Sequence, residues 1–262
     1  MNAFHTRALA LVFLALVVLA LGAGIAGAAD IKVLSTGNMQ SILGALTADF
    51  EEATGNKLLI EYGSTPKIKA RAEQEAVDLT INERYVLDEL TKAGRVQAGT
   101  LIDIARSPLG LGVRAGAAKP DISTPDALKE ALRKAESIAV PDPSGGAQDG
   151  NYFFGLIARL GIADEIKPKI KLTQGGDAAA AAVASGSAQL GVAQKRNFNK
   201  LAGVTLLEPL PDIAGIKFLM VAGVISGSQQ RDNALAFAKF LASPAAVPTI
   251  VDKGMEPYAA GK

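Results

Sequence analysis

The sequence predicts an α/β fold of two lobes, each a mostly parallel sheet flanked by helices, with a ligand cleft between them. Three observations predict it. Short apolar strand patterns alternate with helix patterns along most of the chain. Strand after strand runs into a loop rich in Ser, Thr, Gly or Asn before the next helix opens. The alternation also breaks off and resumes, which implies that the chain leaves one sheet, builds a second and returns. With 262 residues, 49% of them hydrophobic and 20% charged, the chain has the apolar material for a substantial core.

The first 29 residues stand apart. His5 and Arg7 precede an uninterrupted apolar run from Ala8 to Leu21, and small residues then lead to Ala26-Gly27-Ala28. This is the layout of a cleaved secretory signal peptide, so residues 1–29 are expected to be removed on export to the periplasm. An uncleaved anchor extending to Ala29 is the competing reading. Removal takes away His5, the one histidine, and the chain has no Cys, so the remainder holds neither imidazole nor thiol. Histidine-dependent triads, cysteine nucleophiles, Cys/His zinc sites and Cys-held iron–sulfur clusters are thereby excluded. Losing Arg7 leaves 26 basic residues facing 26 acidic ones. No nucleic-acid partner is expected of such a balance.

In order, Ile31–Leu34 reads as a strand that enters Ser35–Met39 and then a helix from Ser41 to Ala53, striped by Leu43, Leu46 and Phe50. Leu58–Tyr62 is a second strand, followed by Gly63–Pro66 and a basic helix from Lys67. Val77–Ile81 is a third, ending at Asn82-Glu83-Arg84-Tyr85 before an amphipathic helix through Leu90. Parallel strands put such loops at one edge of the sheet, so all three are expected to face one cleft. Ser107–Val113 reads as a crossover into a second unit, in which Thr124 caps a helix opened by Pro125. Ile138–Val140 then feeds a Gly-rich loop and a helix from Tyr152 to Leu160. Ile170–Leu172 leads through Gln174–Asp177 to an alanine-rich helix, and Leu190–Ala193 leads to Gln194-Lys195-Arg196. Pro209–Gly215 reads as the return crossover, Phe218–Ile225 as a strand and Gln229–Leu241 as a helix. Lobe I is therefore expected to comprise residues 30–108 with 216–262, and lobe II residues 109–215 including the return hinge.

Two glycine patterns fail as nucleotide motifs. Gly110, Gly112 and Gly116 lack the spacing and following helix of a dinucleotide site, and Asn151-Tyr152 replaces the Lys and Ser/Thr that a phosphate loop needs after Gly150. Loops 35–39, 63–66, 144–151 and 174–177 instead place small polar residues before helix starts, where free backbone N–H groups favour anions. Any one of them also reads as an ordinary cap. Cations fall in the same places: Lys67, Arg84 and the Lys195/Arg196 pair, whereas Arg71 is expected to pair with Glu75 on its own helix.

With these landmarks the chain resembles the periplasmic molybdate-binding proteins of ABC transporters, a branch of the type II periplasmic binding protein fold. The resemblance rests on the IKV strand with its Ser/Thr loop, FEEATGNKLLIEYGST, AVDLTIN, IAVPDPSGGAQDGNYFFGLIARLGI, ASGSAQLGVAQ and AFAKFLASPAAVPTIVDKGMEPY. It implies two lobes closing over an anion, with Ser35 or Thr36 and Ser64 at the hydroxyl positions of the first lobe. The chain departs from that family in having Pro66-Lys67 after the paired hydroxyls, Arg84 at the third loop, and Gln-Lys-Arg where a tyrosine-containing turn is usual. Added cations suit several carboxylates better than a compact oxyanion, so a small polycarboxylate is the expected ligand. The chain is also similar to a catalytic branch of this superfamily, which implies interconversion of trans-aconitate and cis-aconitate by a cofactor-free allylic proton shift. The inferred cleft offers Glu83, Tyr85, Asp149, Tyr152 and Lys195 for proton transfer, which would then fall to Glu83, Tyr85 or Lys195. Binding would fall to Ser35, Thr36, Asn38, Ser64, Thr65, Lys67, Arg84, Ser144, Gly146, Tyr152, Gln194 and Arg196. Glu83 could instead simply pair with Arg84, and Tyr152 could be a core aromatic. No cofactor or metal is expected, and a monomer is. The alternative is a non-catalytic receptor for a polycarboxylate or a molybdate- or tungstate-type oxyanion, with an inner-membrane transporter as partner.

Overall fold

The computed structural model describes residues 29–145, 148–199, 201–207 and 217–258, the side chain of Lys217 excepted. Residues 1–28, read above as a signal peptide, Gly146, and Pro209–Gly215, read as the return crossover, lie outside them. The first half alternates β1 (Asp30–Thr36), α1 (Gln40–Thr54), β2 (Lys57–Gly63), α2 (Thr65–Gln74), β3 (Leu79–Glu83) and α3 (Arg84–Lys92). β4 (Ile102–Arg114) leads to α4 (Pro125–Lys134), β5 (Ile138–Pro141), α5 (Gln148–Arg159), α6 (Ala163–Ile166), β6 (Ile170–Thr173), α7 (Gly176–Ala184), β7 (Leu190–Gln194), α8 (Lys195–Phe198) and β8 (Val204–Leu207). β9 (Lys217–Val224), α9 (Arg231–Leu241), α10 (Val247–Asp252) and β10 (Glu256–Pro257) complete the described chain.

The strands follow the order β2-β1-β3-β9-β4-β7-β5-β6, with β8 and β10 also paired to β4. β2, β1 and β3 run parallel, as do β7, β5 and β6. β9 is antiparallel to both β3 and β4, and β4 is antiparallel to β7. The segment expected as a crossover is thus part of one 13-residue strand that serves both halves. Its residues through Pro108 pair with β9, and Leu109–Val113 pair with β7. Pro108, which has no N–H to donate, stands where the partner changes.

Packing explains two further departures from the sequence reading. The third strand extends to Glu83 rather than stopping at Ile81, because both faces of β3 are covered and all five of its residues are buried. The helix expected from Tyr152 starts four residues earlier, at Gln148. Gly150 permits this: a Cβ there would lie 2.0 Å from the Pro141 carbonyl oxygen, so the helix start seats directly on the end of β5. Alanine-rich α7 sits on β7 in the same way, since a Cβ at Gly191 would lie 2.5 Å from a Val183 methyl. In the first half α1 buries Ile42, Leu43, Leu46 and Phe50, and the Phe50 ring lies 4.9 Å from Phe237 and 5.6 Å from Phe240. Such ring pairs contribute about 1 kcal/mol each beyond the area they bury, which fastens α9 back onto α1.

Candidate functional site

β3 and β7 are wholly buried strands that end directly in a helix. Their last residues, Glu83 and Gln194, hold nearly the same extended conformation, at φ −67°, ψ 149° and φ −64°, ψ 143°. The carboxyl end of each parallel strand set therefore delivers a buried polar side chain to the seam between the halves.

Hydrogen bonds cross that seam near the strand ends. Arg196 Nη2 donates to Asn38 Oδ1 at 2.5 Å, and Gln148 Nε2 donates to the Tyr85 hydroxyl at 3.0 Å. Asn199 Nδ2 also donates across to the Asp252 carbonyl at 2.7 Å. From the first half, Ser35, Thr36, Asn82 and Glu83 are all at most 3% exposed. Thr65 Oγ1 donates to Glu83 Oε1 at 3.2 Å, Asn82 Nδ2 donates to the Thr65 carbonyl at 3.2 Å, and the Glu83 N–H donates to Asn82 Oδ1 at 2.8 Å. From the second half, Asp149 accepts from the Gln194 N–H at 3.3 Å and from Gln194 Nε2 at 3.0 Å. The other end of the same amide, Gln194 Oε1, accepts from Arg196 Nε at 3.2 Å.

The charges at the seam are tuned by enclosure. Burial, with a smaller contribution from the charge of Asp149, pushes the Glu83 carboxyl up to about 7 against the pull of the Thr65 hydroxyl. The Tyr85 and Tyr152 hydroxyls are likewise pushed up, first by burial and then by the neighbouring Glu83. Enclosure lowers the pKa of the Arg196 guanidinium, while Asp149 and Asp177 oppose that shift from a distance. Among the described residues no carboxylate lies within ion-pair distance of Arg196, and its guanidinium donates to the amide oxygens of Asn38 and Gln194. A desolvated guanidinium with N–H groups to spare is a receptor for an anionic oxygen.

Arg84 is placed differently. Its guanidinium donates to Asp103 Oδ1 at 2.7 Å and to Asp88 Oδ1 at 3.0 Å, so its charge is already matched by two carboxylates. Glu83 accordingly takes Thr65 rather than Arg84 as its partner. Lys67, Ser64 and Ser144 are exposed, and Lys195 is half-buried on α8. Ser35 Oγ donates to the Thr36 carbonyl at 3.2 Å, and the Tyr152 ring packs edge-on against Phe218 at 4.8 Å while its hydroxyl senses Glu83. Arg71 pairs with Glu75, and also reaches Glu61. Asn82 and Gln148 were not among the expected site residues. In sequence Asn82 stands just past the strand pattern and reads as a loop residue; only its burial at the end of β3, where its amide must find partners, marks it. Among the described residues no three His, Cys, Asp or Glu side chains are grouped to hold a metal ion.

Two α/β halves that share a strand and face each other with the ends of their parallel strands form the two-lobed type II binding-protein fold. The chain belongs to the bacterial extracellular solute-binding protein family, whose pattern matches residues 31–256. It is 31% identical over 236 residues to an aconitate isomerase of Pseudomonas sp., covering 88% of each chain. Among solved structures it is similar to the tungstate-binding protein of Desulfovibrio alaskensis, with a TM-score of 0.71, 18% identity, and coverage of 88% of this chain and 100% of that one. It is also similar to the periplasmic molybdate-binding protein of Azotobacter vinelandii, with a TM-score of 0.66, 22% identity, and coverage of 86% and 98%.

Proposed function

We propose that this protein is a periplasmic enzyme that interconverts trans-aconitate and cis-aconitate at the seam between its lobes. The observation that carries the reading is a buried carboxyl poised near pH 7, Glu83, in the same seam as a guanidinium without a carboxylate partner, Arg196. The likeness to the Pseudomonas isomerase supports the choice of substrate. In the reaction, Glu83 as carboxylate takes a proton from the substrate methylene. The C–H electron pair becomes the new double bond, the old π pair moves to the former vinyl carbon, and that carbon accepts a proton. Negative charge accumulates on the carboxylate conjugated with the allyl system, and Arg196 is suited to stabilise it there. Ser35, Thr36, Asn38, Tyr152 and Gln194 would line the remainder of the ligand, with Lys195 at the rim. The proton returned to carbon comes from Glu83 itself or from the Tyr85 or Tyr152 hydroxyl.

A receptor for a polycarboxylate or an oxyanion is the second reading, favoured by the solute-binding family and by its fold neighbours. Proton NMR of trans-aconitate incubated with the protein separates the two. Growth of cis-aconitate signals at a rate proportional to protein concentration is the expected result. Unchanged trans-aconitate together with a thermal shift would mean a receptor, and a shift with molybdate but not with tricarboxylates would overturn the polycarboxylate site as well.

A further inference from the structure

The carboxyl of Glu83 is not simply buried; it is aimed. Its Oε1 accepts from Thr65 Oγ1, and among the described residues no hydrogen bond is made to Oε2. Thr65 is in turn held by its own backbone, because Asn82 Nδ2 donates to the Thr65 carbonyl. Asn82 Oδ1 then accepts the N–H of Glu83 itself. One fully buried amide thus ties the first residue of α2 to the last residue of β3 and sets the distance between the hydroxyl and the carboxyl that it meets. Nothing about the stability of β3 requires this, since an apolar residue at position 82 would suit a strand covered on both faces.

We propose that Asn82 and Thr65 form a positioning brace that fixes the Glu83 carboxyl group and leaves Oε2 as the oxygen that exchanges a proton with the ligand. This rests on Glu83 being the proton carrier of the proposed reaction. A hydroxyl that donates to Oε1 makes that oxygen the acceptor-only one, so the transferable proton resides on Oε2 whenever the carboxyl is neutral. The same donor favours the charged form of Glu83 and keeps burial from raising its pKa further. Thr65 and Asn82 touch Glu83 and not the reacting carbons; their effect is on the orientation of the carboxyl and the pH at which it works.

The test is Thr65→Val, which keeps the shape and removes the donor, beside Thr65→Ser, which restores it. The Glu83 carboxyl is followed by its carbon chemical shift across pH in ligand-free protein, and kcat/KM for trans-aconitate is followed across the same range. In Thr65→Val the midpoint of the Glu83 titration should rise by about one pH unit, and the ascending limb of the kcat/KM profile should move with it. Thr65→Ser should return both to within a few tenths of a unit of the parent value. Asn82→Asp, which adds a charge beside the brace, should raise the same midpoint. A titration midpoint in Thr65→Val that matches the parent overturns the brace, even if the parent protein isomerises aconitate. A midpoint that moves in a parent protein without isomerase activity upholds the brace and removes the catalytic reading alone.

Discussion

The ends of β3 and β7 are built on one backbone plan and carry opposite chemistry. Both strands are wholly buried, both stop at a residue in the same extended conformation, and both pass straight into a helix that begins with cationic residues. In the first half the terminal side chain is an acid, Glu83, and the following Arg84 is turned to Asp88 and Asp103. In the second half it is an amide, Gln194, and Arg196 is left facing amide oxygens. An arginine just beyond a strand end does not by that alone mark a binding site. What matters is whether carboxylates of its own half already match its charge.

The largest effect should come from the acid. Glu83→Gln should lower the rate of aconitate isomerisation by about 10²- to 10⁴-fold, measured as initial rate by NMR, as expected when a proton carrier is removed. The same variant also reports on the electrostatics of the strand end. The Glu83 carboxyl in the folded protein lies above its usual value, so the native state holds the proton more tightly than the unfolded chain does. Wild type and variant should have similar stability below about pH 4 and diverge as pH rises through about 7, with the variant the more stable. The shift sets a ceiling of roughly 3 kcal/mol on that difference, readable in denaturant titrations at several pH values. Equal stability profiles would mean that Glu83 is not held in a desolvated place.

Arg196→Ala comes next. Removing a charge-assisted contact to a carboxylate should weaken ligand binding by roughly 30- to 100-fold in calorimetry, with Arg196→Lys recovering part of the loss but not the planar fork. The smallest effect should be that of Arg84→Ala, within about threefold for ligand affinity, because its partners are Asp88 and Asp103 at a partly exposed surface. If Arg84→Ala and Arg196→Ala weakened the ligand equally, the distinction drawn between the two strand ends would collapse.

The strand-and-helix alternation was legible because period-two and helical patterns are local, and the stripes of α1 and α3 stand close to where they were read. The long strand β4 was not legible: Ser107-Pro108 and three nearby glycines look like a connection, and only pairing with β9 and β7 on either side turns them into sheet. Short α10 and β10 escaped for the same reason, as each depends on elements far along the chain. At the site, sequence indicated which residue types gather at strand ends but not which way a side chain turns. Arg84 and Arg196 look alike in sequence, and what separates them is Asp103, nineteen residues beyond Arg84. Asp149 reads in sequence as a cleft acid available for proton transfer, whereas the close seat of Gly150 places it in the first turn of α5, where it accepts from Gln194.

The placement of β9 between β3 and β4 bears on how the molecule comes into being. Leu79 meets Val224, so the opening sheet stays unfinished until the final quarter of the polypeptide has been synthesised. A nascent chain lacking residues 217–224 offers the flank of β3, rich in branched aliphatic side chains, to any other strand it encounters. Closing so long a loop is slow, so that open flank persists for as long as the late strand takes to arrive, and mispairing there is the hazard this topology carries.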